Sequence, residues 1–164
     1  MDLFLVRHAI AHQRDLNRWP DDGRRPLTSE GKQSFRQAAR GLRRLVDPPV
    51  LVFCSPLTRA RQTARILERR AGWPAARVTP LLAEGAGWAE LRLLRADQES
   101  VAFVGHEPHL SDLCAALLAG KTMARIEFRK GTVARLAIEP DDDRATLRAL
   151  WPPATLRAVG GSRG

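Results

Sequence analysis

Apolar runs and helical stripes alternate along most of this chain. DLFLVRH (residues 2–8) has an unbroken apolar centre, Leu3 to Val6, and reads as a buried strand. LTSEGKQSFRQAARGLRRLV (27–46) sets Phe35, Ala38, Ala39, Leu42, Leu45 and Val46 at helical spacing, with Lys32, Arg36, Arg40 and Arg43 as its polar stripe. Thr28 is placed to cap that helix. DPP breaks the chain, VLVFCS (50–55) gives a second buried strand, and TRARQTARILERRAG (58–72) predicts a second helix closed by Gly72. RVTP (77–80) reads as a short edge-like strand and WAELRLLRA (88–96) as a third helical stretch. SVAFVGH (100–106) is another fully apolar strand, and PHLSDLCAALLAG (108–120) starts a helix with Pro108 in its first turn. GTVARLAIE (131–139) and ATLRALW (145–151) alternate with period two around PDDD and predict a hairpin, while the closing GGSRG reads as loose. Strands alternating with helices predict an α/β fold. The expectation is a single-domain three-layer α/β/α sandwich, its sheet mainly parallel with a C-terminal antiparallel hairpin, over residues 1–158 with 159–164 as a tail.

Composition narrows the setting. A chain of 164 residues with 44% hydrophobic and 27% charged positions can bury one ample core and is not of the disordered class. The first residues run straight into Arg7 and His8, so no cleavable leader is predicted, and no apolar segment approaches membrane-spanning length. Cys54 and Cys114 both sit in apolar contexts and read as small buried residues of a reducing, cytoplasmic compartment. The net charge of +9 favours anionic partners. With aromatics at only 5% and the arginine stripes opposite apolar helix faces, the pattern argues against a nucleic-acid partner.

Two of the apolar strands end alike, in FLVRH and VAFVGH, and a third, LVFCSPLTR, opens a helix. Ligands of parallel α/β sheets bind outside the carboxyl ends of the strands, so His8, His106 and the start of the Arg59 helix should converge on one rim. Arg61, Arg65 and Arg69 recur every four residues and point roughly opposite to Arg59, so they read as a solvated face. Arg59 stands in the first turn, at the anion-friendly end of its helix. Arginines, imidazoles and a helix start on one rim call for a strongly anionic ligand, and a phosphoryl group suits the planar guanidinium fork.

LVRHAIA resembles the Arg-His signature of the histidine phosphatase superfamily, the phosphoglycerate mutase-like fold. RPLTSEGKQSFRQAARGL, CSPLTRARQTA and VGHEPHLSDL resemble, in order, the later segments of its short SixA-like phosphohistidine phosphatase branch. The resemblance covers about residues 2–120. It implies that His8 is a nucleophile forming a phosphohistidine intermediate, and that Arg7, Arg59 and His106 grip the phosphoryl oxygens. No metal and no cofactor are then required, because cationic side chains take the metal's place. Arg25 either meets the substrate or only fixes the loop before Thr28. Glu107 and His109 are expected to shape the pocket rim, and Ser55 and Thr58 to cap the helix. Glu84, in LLAEGAGW, is the one candidate for a general acid and is read rather as structural or loop-capping. The short connections imply an open pocket suited to a phosphohistidine-bearing protein, with a small phosphorylated substrate as the alternative and inorganic phosphate as product. A phosphate-binding module without turnover is the reading from another class.

Overall fold

The computed structural model describes residues 1–95, 97–120, 126–138 and 144–161. Strand β1 (Asp2–Arg7) leads to a single 3-10 turn (Asp22–Arg24) and then helix α1 (Ser29–Leu45). β2 (Leu51–Cys54), α2 (Thr58–Ala71) and β3 (Arg77–Val78) follow. One-turn helices α3 (Leu81–Glu84) and α4 (Trp88–Leu91) come next, the latter extended by a 3-10 turn (Arg92–Arg95). β4 (Ser100–Gly105), α5 (His109–Ala119), β5 (Val133–Ile138), β6 (Ala145–Trp151) and α6 (Pro153–Gly161) complete the order. The six strands form one sheet in the order β3-β2-β4-β1-β5-β6. β1, β2, β3 and β4 pair in parallel, and β5 runs antiparallel to both β1 and β6.

The apolar runs are continuous because both sheet faces are covered. Phe4, Val6, Val52, Cys54, Ala102 and Val104 point to the side packed by α1, α2 and α6. Their neighbours Leu3, Leu5, Phe53, Val101 and Phe103 point to the side packed by α5 and the short helices. Period-two alternation along each strand thus feeds two cores at once. Among the described residues, no helix is long and apolar enough to cross a membrane. Cys54 and Cys114 are buried free thiols, and burial pushes the Cys114 thiol up to about 11.

Local signals set several element ends as expected. Thr28 accepts a bond from the Gly31 N–H at the start of α1, and Gly72 ends α2 in the left-handed region at φ 76°. Other expectations need correction. Leu45 is 40% exposed and not part of the α1 core face. The third helical stretch holds over its described residues but changes from α4 to a 3-10 turn part-way, and α3 was not anticipated. The PDDD turn falls outside the described residues, as does the end of the tail. Residues 159–161, expected to be loose, belong to α6. One glycine from each helix lets it dock: a Cβ at Gly41 of α1 would lie 1.9 Å from the Leu156 carbonyl oxygen, and one at Gly160 of α6 would lie 2.1 Å from that of Gln37. Helices α1 and α6 cross at backbone contact there.

Candidate active site

Parallel pairing in register lines up the strand ends. Arg7 is level with Gly105, and Cys54 is level with Val104, so His8, His106 and Ser55 emerge side by side one step further on. The His8 N–H still donates to the Gly105 carbonyl, 3.0 Å, and the Ser55 N–H to that of Val104, 3.0 Å, which holds both residues to the sheet. The His8 and His106 rings lie with centroids 5.1 Å apart. Both are buried, 6% and 7% exposed, as is Arg59 at 7%.

His8 has a defined tautomer. Its Nδ1 lies 2.7 Å from the Ala9 carbonyl oxygen, which can only accept, so Nδ1 carries the proton and Nε2 keeps a lone pair. Burial, then the charges of Arg59, Arg7 and Lys130, hold its pKa down to about 4 despite the bond to Ala9. His106 is held down to about 3, first by burial and then by His8, Arg59, His109 and Arg7. Its Nε2 meets the Ser55 hydroxyl at 2.8 Å, while its Nδ1 is buried without a partner. The Ser55 oxygen also accepts the Leu57 N–H, 3.3 Å, leaving the hydroxyl proton available for His106. Ser55 therefore contributes to the site beyond capping. Thr58 does not cap either: α2 has Leu57 at its N-cap position and no side-chain cap bond.

The two guanidiniums are held from behind. Arg7 donates through Nη1 to the Phe128 carbonyl, 2.5 Å, and Arg59 through Nη1 to the backbone and carboxylate oxygens of Asp22, 3.1 and 3.2 Å. Nε of each is buried with no partner. Buried donors are ordinarily satisfied, so unfilled ones on two arginines close enough to act on His8 suit an oxygen-rich anion. Burial lowers the pKa of both arginines, and guanidiniums stay charged in proteins nonetheless. As the helical spacing predicted, Arg61, Arg65 and Arg69 are exposed on the other side of α2.

Arg25 lies against the same cluster. It donates to Asp22 through Nε, 2.7 Å, and to the His12 carbonyl through Nη1, 2.6 Å, so it braces the loop and stands beside Arg59. Glu107 faces Arg7 electrostatically, and its carboxylate accepts the Ser111 N–H, 3.2 Å, at the start of α5. Glu84 is exposed at the end of α3, and its side chain makes no hydrogen bond or ion pair to a described residue. The next residue, Gly85, packs on the His109 ring, since a Cβ there would lie 2.3 Å from its Nδ1.

Three residues of this site escaped the sequence reading. Asp22 bridges Arg25 and Arg59, and the hydrogen bond from Arg25 holds its carboxyl below the usual range. Thr63 donates to the Arg59 carbonyl, 2.7 Å, and accepts the Ala9 N–H, 3.0 Å, tying α2 to the segment after His8. A threonine amid Ala60, Ala64 and Leu67 on the buried face of α2 was the available signal. Lys130 adds positive potential at His8 from the loop before β5.

Depressed imidazole pKa values have a measurable consequence. The folded rings take up protons only well below 6.5, whereas the unfolded chain takes them up near 6.5. As pH falls from 6.5 toward 4 the unfolded state binds more protons, so the histidines' contribution to stability declines through that window. The NMR shifts of both rings should stay flat between about pH 8 and about pH 5.5; a midpoint near 6.5 for either, the ordinary histidine value, would contradict their burial.

Comparison with known proteins agrees with this arrangement. Residues 3–92 match the model of the histidine phosphatase superfamily (branch 1). An uncharacterized protein of Picosynechococcus sp. strain PCC 7002 is 34% identical over 139 residues, covering 81% of this chain and 82% of that protein. The structure of the protein histidine phosphatase SixA complexed with tungstate superposes with a TM-score of 0.78 at 26% identity, over 95% of this chain and 99% of that one. The alpha-ribazole phosphatase of Shigella flexneri shares the fold, with a TM-score of 0.64 at 21% identity over 93% and 97% of the two chains.

Proposed function

The chain belongs to the histidine phosphatase superfamily (branch 1), and within it we propose that this protein is a metal-independent phosphatase acting on protein phosphohistidine through a covalent intermediate on His8. One observation carries the reading: His8 is held neutral, its proton committed to the Ala9 carbonyl, with a free Nε2 lone pair among buried, unpartnered donors of Arg7, Arg59 and His106. The similarity to SixA supports the choice of substrate class.

In the first step the Nε2 lone pair attacks phosphorus and the substrate's P–N bond breaks. The departing imidazole keeps the proton on its far nitrogen and leaves neutral. His8 becomes phosphorylated on Nε2 while Nδ1 keeps its proton. Water then attacks phosphorus, its proton passes to solvent or phosphate, and His8 departs as neutral imidazole. The bond to Ala9 serves both steps, because the same Nδ1–H makes His8 a neutral nucleophile and a neutral leaving group. Arg7 and Arg59 would meet the charge spread over the equatorial oxygens, as positioned donors do in phosphoryl transfer. His106, with Nδ1 protonated when Ser55 donates to Nε2, would supply the third donor. A dianionic group between the rings would offset the positive potential of Arg7, Arg59 and Lys130, which adds to burial in holding His8 unprotonated.

Substrate class turns on the leaving group. A neutral imidazole needs no acid, whereas an alkoxide does. The exposed Glu84 side chain has no hydrogen bond or ion pair to a described residue that would hold it at a leaving oxygen. Glu84→Gln should therefore leave the rate on a phosphohistidine peptide unchanged, and wild type should be slow on an alkyl phosphate. A general phosphomonoesterase would instead turn over the alkyl phosphate quickly and lose about 10²–10⁴-fold in Glu84→Gln. Steady-state rates of both proteins on both substrates separate the two, and the second pattern would overturn the phosphohistidine assignment.

A further inference from the structure

The mechanism leaves unused a cluster of cations on the surface of α1 and α2. Helices α1 and α2 enclose a cleft of about 430 Å³ floored by Ile66 and lined by Lys32, Arg36, Arg65, Arg69 and Arg70. Among the described residues, no carboxylate lines it. None of the five cations makes a side-chain hydrogen bond or ion pair to a described residue, and all but the half-buried Lys32 are exposed. Glu68, exposed on α2, lines an adjoining depression that shares Gln62, Arg65 and Arg69 with the cleft. Five cations with a single carboxylate at their margin leave an excess of like charge that opposes folding through self-repulsion, so the cleft is suited to an anionic occupant.

Spacing and location identify its kind. Lys32 and Arg36 are four residues apart on α1, and Arg65 and Arg69 four apart on α2, so each helix offers cations about 6 Å apart along its axis. Carboxylates one turn apart on a partner helix have the same repeat. No aromatic ring lines the cleft, so it lacks the stacking platforms that bind single-stranded nucleic acid. A short run of contacts ties the cleft to the loop behind the reaction rim. Gln62, on its lining, accepts the Leu27 N–H at 2.8 Å, and Leu27 lies two residues beyond Arg25, which braces Asp22 against Arg59. Arg65 stands six residues along α2 from Arg59, about 9 Å along the axis. A protein presenting a phosphorylated histidine to His8 would bring its own surface over this cleft.

We infer that the α1–α2 cleft is the docking surface for an acidic helical face of the phosphohistidine-bearing protein. This rests on the phosphohistidine reading above. Docking there raises the encounter rate and the specificity for the protein substrate without touching the chemical step.

The test uses two synthetic helical peptides, each with one phosphohistidine, one flanked by glutamate pairs four residues apart and the other by glutamines. Wild type should favour the acidic peptide about tenfold or more in kcat/KM at low salt. The preference should vanish near 1 M salt, where the screening length is only about 3 Å. In R65E/R69E and in K32E/R36E it should be lost, with the rate on a small phosphoramidate unchanged. Fluorescence anisotropy of the unphosphorylated acidic peptide reads the cleft independently of turnover. If neither peptide is hydrolysed yet the acidic one binds through these cations, the docking surface stands and the phosphohistidine reading falls. Equal turnover of the two peptides, or anisotropy unaltered by charge reversal, overturns the docking proposal. So does an RNA oligonucleotide that binds the cleft more tightly than the acidic peptide.

Discussion

Replacing His8 with alanine should lower turnover by about 10⁴-fold or more, the scale seen when a nucleophile that acts as a unit with its partners is removed. The variant loses the Nε2 lone pair and therefore the covalent route. It keeps Arg7, Arg59 and His106, so tungstate or phosphate binding should survive in part. Brief reaction of wild type with substrate, followed by mass spectrometry under conditions that preserve P–N bonds, should place a single phosphate on His8. Circular dichroism serves as the control for folding, since the alanine also leaves the Ala9 carbonyl without its Nδ1–H partner. A correctly folded variant that retains more than a few per cent of the rate would remove His8 from the role of nucleophile.

Arg7→Ala and Arg59→Ala should each cost about 2–4 kcal/mol of transition-state stabilisation, or about 10²–10³-fold in rate, as the loss of a single oxyanion donor does elsewhere. Arg61→Ala and Arg65→Ala should leave turnover of a small phosphoramidate within about twofold, because exposed charges away from the reacting atoms contribute little. Arg59 carries a further dependence. Its fork is held by Asp22, which Arg25 holds in turn, so Asp22→Asn should weaken turnover while leaving the charge of Arg59 in place. Lysine at position 59 restores charge but not the fork, and should recover only part of the loss. Equal losses in all four alanine variants would mean that the two faces of α2 do not divide the labour as their burial indicates.

The strand ends, the helix faces and the segregation of Arg59 from Arg61, Arg65 and Arg69 were legible in the chain. Each is written in local periodicity: a strand that runs apolar on both faces, or a helix whose buried stripe returns every three to four residues, reports its own burial. Thr28 and Gly72 belong to the same class, since caps act within one turn. The pattern FLVRH and VAFVGH was enough to place two imidazoles on one rim. Periodicity says which face of an element is buried, but not which element lies beside it. Only the insertion of β4 between β1 and β2 sets His8 and His106 with ring centroids 5.1 Å apart and gives Ser55 to His106. Asp22 reaches Arg59 across 37 residues and Thr63 reaches Ala9 across 54, contacts that depend on how the α1–α2 layer seats on the sheet. The closing helix α6 was hidden for the same reason. Gly160 is a poor helix former locally, and it becomes favourable only where α1 approaches to backbone contact, which no local pattern encodes. The tautomer of His8 is a hybrid of the two: its partner is the next residue in the chain, yet only the tertiary burial of that bond keeps the ring neutral and its lone pair free.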